Sequence, residues 1–143
     1  MKYHFKIYKE KKGYSASCIE LQGCNTQADT KDDLQKNMEE ALNGYLDEPK
    51  NSKILFPKPK KIPNKRNIIT VGVHPKIAFA MLLRQARLKN KMTQSQTAKK
   101  LGFKNIYSYQ RLENSKTANP ELLTIVAIKE VFPDFDVNLV LNI

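Results

Sequence analysis

The sequence predicts an α+β protein: a small βββαβ unit over residues 1–74, then an all-α unit over residues 75–143 that closes on a strand signal. Three observations carry that prediction. Apolar and polar residues alternate over Met1–Ile7 and again over Tyr14–Cys18, the period of a strand with one buried face. From Pro75 to about residue 132 the apolar spacing is helical instead. Between the two, residues 49–67 hold Pro49, Pro57, Pro59 and Pro63 among six lysines and Arg66, which suits an extended, semi-rigid loop.

Each element follows from its residues. Met1, Tyr3, Phe5 and Ile7 alternate with Lys2, His4 and Lys6, and Tyr14, Ala16 and Cys18 resume the pattern after a turn at Glu10-Lys11-Lys12-Gly13. A hairpin is the simplest arrangement. A third strand is expected around Asn25–Ala28. Thr30 stands as a helix N-cap with Asp33 three residues on, and Leu34, Met38, Ala41, Leu42, Tyr45 and Leu46 then form one apolar stripe that ends before Pro49. Ile68–Val73 supplies the last strand of the sheet. In the second unit helices are expected over Ile77–Leu88, Gln94–Leu101 (stopped by Gly102), Ile106–Asn114, and from Asn119-Pro120-Glu121 to Glu130. Val137, Leu139, Leu141 and Ile143 alternate again, so Asp136–Ile143 is expected as a strand that helps build a dimer.

Composition sets the bounds. At 143 residues and 41% apolar content the chain has enough hydrophobic residues for a core, which excludes wholesale disorder. No stretch approaches the roughly 20 apolar residues of a membrane span, and the alternating start lacks the apolar run of a signal peptide. A cytoplasmic protein without membrane contact is expected. Cys18 and Cys24 are too few for a disulfide framework or a four-cysteine zinc site and read as packed free thiols.

The net charge of +11 is unevenly spread. Residues 1–48 balance at −2, residues 49–112 at +16 without one Asp or Glu, and residues 113–143 at −3. The central block has the electrostatic footprint of a polyanion-binding surface. Within it, Gln94–Leu101, the turn at Gly102 and the helix from Ile106 form a helix-turn-helix candidate. If Tyr109 and Leu112 point inward, helical geometry turns Ile106, Tyr107, Gln110 and Arg111 outward. There Gln suits adenine edges, Arg suits guanine, and Ser108 is short enough to hydrogen-bond as well. Thr93, Gln94, Asn114 and Lys116 lie at element ends, where side chains and amides hold phosphates, and Lys104 and Asn105 occupy the turn. All eleven are candidate DNA-binding residues.

Arg84-x-x-Arg87, then Met92-Thr93-Gln94-x-x-x-Ala98-x-x-Leu101-Gly102, then Leu112-Glu113-Asn114 resembles the phage-repressor (Xre-type) helix-turn-helix family. The resemblance implies that Gln94 binds backbone phosphate and that Ile106, Tyr107, Gln110 and Arg111 read bases. The chain has one extra residue in the turn, around Lys104-Asn105, and an apolar Ile106 where the family often has a polar residue. The front unit, with Leu21-Gln22-Gly23-Cys24, the Thr30-x-x-Asp33 helix start, Ala41-Leu42 and the entry Leu82-Leu83-Arg84-Gln85-Ala86-Arg87, is similar to the HicB antitoxins. Together the two resemblances span nearly the whole chain. They imply a partial ribonuclease-H-like front domain that binds a HicA-type, RNA-cleaving toxin, and a second domain that binds the promoter of its own operon as a homodimer or higher even oligomer.

Such toxins should be basic, and Asp29, Asp32, Asp33, Glu39 and Glu40 gather on or beside one helix of the acidic front unit. They are the candidate toxin-binding residues, with charge complementarity as the rationale. The basic loop 49–67 remains open to either partner. Catalysis is not expected. Before the helix only Glu10, Glu20 and Asp29 are available, without the clustering a two-metal nuclease needs, and His4 and His74 stand alone. No cofactor, metal site or catalytic residue is expected. The alternative is a repressor whose front domain senses a small molecule.

Overall fold

A computed structural model describes residues 1–142; Ile143, the end of the expected terminal strand, lies outside the described residues. The chain is a mixed α+β protein with one four-stranded antiparallel sheet and six helices among the described residues. Strands β1 (Lys2–Lys9), β2 (Tyr14–Cys18), β3 (Asn25–Ala28) and β4 (Ile68–Gly72) lie in the order β3-β2-β1-β4. Phe5 faces Cys18 on one side and Ile69 on the other, and Tyr3 pairs with Val71. The β1–β2 turn needs its glycine. Gly13 has φ +75°, and a Cβ there would stand 2.3 Å from the Ala28 carbonyl oxygen.

Helix α1 (Lys31–Leu46) opens where Thr30 accepts a hydrogen bond from the Asp33 amide, 3.1 Å. Its Leu34, Met38, Leu42 and Leu46 are spaced by four residues and buried. They pack in one core with the alternate residues of the sheet: Tyr3, Phe5, Ala16, Cys18 and Val71. Cys18 and Cys24 are free and buried. The two thiols act on each other, which lowers the pKa of Cys18 and, with burial, raises that of Cys24, and Cys18 Sγ donates to Glu20 at 3.6 Å.

The proline-bearing segment is extended and anchored at four points. Gln85 Nε2 donates to the Phe56 carbonyl at 3.0 Å and Tyr3 Oη to the Pro57 carbonyl at 2.7 Å. The Lys60 amide donates to Glu20 at 3.3 Å, and the Ile7 amide to the Asn67 carbonyl at 2.8 Å. Phe56 also stacks, tilted, on Tyr45 with centroids 5.6 Å apart, whereas Ile54 and Leu55 stay exposed.

Helix α2 (Pro75–Lys89) is buried without interruption from Ala78 to Gln85. It packs against α1 and against the last helix, and so reaches both halves of the chain. The His74 ring accepts from the Lys76 amide at its start, so His74 serves as a cap. Then come α3 (Gln94–Lys100), α4 (Ile106–Gln110), α5 (Leu122–Val131) and α6 (Val137–Val140).

Three elements differ from the sequence expectation. The helix expected over Ile106–Asn114 stops at Gln110. Beyond it the Leu112 amide bonds the Tyr109 carbonyl, and Thr117 Oγ1 donates to the Arg111 carbonyl at 2.7 Å, so tight turns satisfy groups a longer helix would have used. The fourth helix begins at Leu122, with Glu121 as an N-cap that makes no side-chain bond, so Asn119 and Pro120 precede it. The strand expected from Asp136 does not form, and α6 occupies Val137–Val140. The Asp136 carboxylate accepts from the Asn138 amide at 3.0 Å, a local cap that fixes the helical turn. The Met1 amino group meets the Leu139 carbonyl and the Asn142 side chain, which holds this end near the start of β1.

Candidate functional site

The pair α3–α4 is built by local capping. Thr93 Oγ1 accepts from the Gln96 amide at 3.1 Å, and Gln96 returns the bond to the Thr93 amide at 2.9 Å. Gly102, at φ +83°, ends the element, and the Phe103 amide then bonds the Ala98 carbonyl at 2.9 Å. Asn105 caps α4 by accepting from the Ser108 amide at 2.9 Å and the Ser108 hydroxyl at 3.1 Å. Thus the side-chain oxygens of Thr93 and Asn105 already serve the backbone, and the Ser108 hydroxyl serves Asn105.

Beneath α4 lies a polar network. Arg87 Nε and Nη2 hold the two Glu113 oxygens at 2.7 and 2.9 Å, a bidentate pair with both side chains nearly buried, and Nη1 donates to the Met92 carbonyl at 3.1 Å. Burial lowers the Arg87 pKa, but the hydrogen bond and charge of Glu113 outweigh it and leave it raised. Tyr109, fully buried beside this pair, has its hydroxyl pKa pushed up by burial and by the Glu113 carboxylate. Gln94 Nε2 approaches Glu113 at 3.4 Å, and Gln94 Oε1 accepts from Gln110 Nε2 at 3.1 Å. The pair therefore orients Gln94, and Gln94 orients Gln110.

Above the network, Ile106, Tyr107 and Arg111 are exposed, Tyr107 at 63%. Arg111 leans over the Tyr107 ring, 5.8 Å from its centroid, leaving a cationic and aromatic ridge. Lys104, Asn105, Asn114 and Lys116 are exposed around it, while Gln94, Ser108 and Gln110 are half-buried. The Asn114 side chain accepts from the Lys116 amide at 2.9 Å, which shapes the turn. Chemically, such a ridge offers guanidinium, ammonium, amide and aromatic groups to an anionic, planar-edged ligand.

The acidic candidates lie elsewhere. Asp29, Asp32, Asp33, Glu39 and Glu40 are all exposed, the last four on the side of α1 away from its buried stripe. His4 and Glu20, unrelated by any motif in the sequence, are joined in the structure. His4 Nδ1 sits 2.6 Å from Glu20, and the His4 amide bonds the same carboxylate at 3.0 Å. Burial raises the Glu20 pKa, but hydrogen bonds from His4 and Lys60 outweigh it and hold it below its ordinary value. Among the described residues no group of three or more His, Cys, Asp or Glu could hold a metal ion, and no helix is long and apolar enough to cross a membrane. The burial of Arg84, which is 5% exposed on α2, had one sequence signal, the spacing Arg84-x-x-Arg87 beside the apolar run Ile77–Leu83.

No family model matches the chain, and no curated protein matches it either.

Proposed function

We propose that the chain is a HicB-like antitoxin that also represses its own operon in the cytoplasm. In this reading α3 and α4 act as a helix-turn-helix, and α4 enters the major groove with Tyr107, Gln110 and Arg111 toward the bases. Gln94, Asn114 and Lys116 meet phosphates at the edges. A single short helix buries too little surface for high specificity, so the protein binds a two-fold site as a dimer or higher even oligomer. The front unit takes a partial ribonuclease-H-like role as a binding platform. Its exposed carboxylates, Asp29, Asp32, Asp33, Glu39 and Glu40, meet a basic, RNA-cleaving partner and cover its working surface.

The observation that carries the reading is the exposed Tyr107–Arg111 ridge set inside a 64-residue stretch, 49–112, with sixteen basic and no acidic side chains. The decisive measurement is binding of the full chain to DNA from upstream of its own gene, with a scrambled duplex as control. We expect selective binding that weakens steeply with salt. Arg111→Ala should reduce the discrimination by about 1–3 kcal/mol if it contacts a guanine, whereas an equal loss on both duplexes marks a phosphate contact. Absence of any association at low ionic strength refutes the DNA-binding reading. Co-expression with a small basic protein encoded beside this one tests the antitoxin part, through pull-down and rescue of growth.

A further inference from the structure

Between the end of α1 and the turns after α4 lies a cleft of about 440 Å³. Arg84, Gln110, Arg111 and Lys116 line it together with Asp47 and Glu48, and Ser115 Oγ donates to Asp47 at 2.6 Å to tie its two sides. Arg84 is the unusual member. It is 95% buried, yet Nε and Nη2 find no acceptor among the described residues. Burial lowers its pKa, while Glu113, Glu48 and Asp47 act on it through space without a hydrogen bond or ion pair. Glu113 is already committed to Arg87 and Asp47 to Ser115. An arginine remains charged in proteins, so a buried fork with free donors is costly until an acceptor arrives.

We propose that this cleft binds a small phosphate ester whose oxyanion sits on the free donors of Arg84. The guanidinium fork matches the tetrahedral oxyanion, and Arg111 and Lys116 add positive charge at the same cleft. Its volume falls in the range that holds a small metabolite, larger than a lone ion requires. Arg84 is nearly buried, so a compact ester that enters the cleft reaches it whereas the stiff backbone of a duplex stays at the surface; Asp47, Glu48 and Glu113, which also line the cleft, repel either anion. A further consequence rests on the DNA-binding reading above: the cleft shares Gln110, Arg111 and Lys116 with the proposed DNA face, so an occupied cleft weakens duplex binding.

Thermal unfolding of the full chain in inorganic phosphate, against chloride at equal ionic strength, tests the site without any DNA. We expect phosphate to raise the Tm by several degrees in a saturable manner. Arg84→Met should remove that response, and its Tm in chloride should equal or exceed that of the wild type because no partner is lost. Lys116→Ala, a change at an exposed residue, should weaken the phosphate response several-fold and serves if Arg84→Met fails to fold. Equal melting in phosphate and chloride, or a phosphate response retained by Arg84→Met, overturns the proposal. In a second arm, a random duplex without free phosphate is titrated against the wild type and Arg84→Met. Equal duplex affinity of the two chains supports a free ester on the Arg84 donors; a several-fold loss on Arg84→Met assigns the anion to the DNA backbone and overturns the free-ester assignment. Because the first arm contains no DNA, its failure leaves the DNA-binding reading intact, and failure of promoter binding leaves the site intact.

Discussion

The two halves of the chain are held together by different physics. In the front half, regular strand pairing and one apolar helix stripe over Tyr3, Phe5 and Val71 create the core, and polar groups only close the ends: Thr30 at a helix start, Glu20 at a strand end. In the helical half α3 and α4 are seven and five residues long, too short to stand on their own hydrogen bonds. There a buried Arg87–Glu113 pair joins α2 to the turn after α4. The front half is thus a platform built from burial, whereas the helical half places its exposed ridge through a polar linchpin.

The largest effect should come from breaking that linchpin. Glu113→Ala leaves Arg87 buried without its partner, and chemical denaturation should show a loss of about 3–5 kcal/mol. Replacing both residues by apolar ones, Arg87→Met with Glu113→Leu, should recover most of the stability yet release Gln94 and Gln110, so that, under the proposed DNA-binding role, duplex selectivity falls while the fold survives. A double variant no more stable than Glu113→Ala would contradict the comparison. In the front half the matching test is Leu42→Ala, which opens a cavity under the sheet and should cost about 2–5 kcal/mol with no change in DNA selectivity. Thr30→Ala, which removes the cap of α1, should cost about 1 kcal/mol in the same assay.

Smallest is the acid dependence of Glu20. Its pKa is lower in the folded chain than its ordinary value near 4.5, so its contribution is fully present above that value. It is lost as the pH falls through the folded pKa. Denaturation midpoints between pH 7 and pH 3 should therefore fall more steeply for the wild type than for Glu20→Gln. Parallel curves would remove Glu20 from the forces that fasten the loop.

What was legible in the sequence follows the range of the forces involved. The alternation of Tyr3, Phe5 and Ile7, the turn glycine Gly13 and the Thr30 cap act over a few residues, so spacing alone located the sheet and α1. The terminal alternation misled because Asp136 caps a helical turn locally and no strand edge receives Val137–Val140. Pairs that close between distant residues left no local trace: His4 with Glu20 and Asp47 with Ser115. The ridge residues were legible because Tyr109 and Leu112, both buried, fix which way Ile106, Tyr107 and Arg111 must face.

The proline-bearing loop 49–67 joins the two halves. Its lysines invite tryptic cleavage, yet Phe56, Pro57, Lys60 and Asn67 are each clasped by residues from the sheet, the β2–β3 connection or α2. A nick at Lys53, before the first clasp, would yield two fragments that migrate as one particle under native conditions and part only in denaturant. The seam between the halves is thus fastened like a belt through loops, and severing its free end does not let it slip.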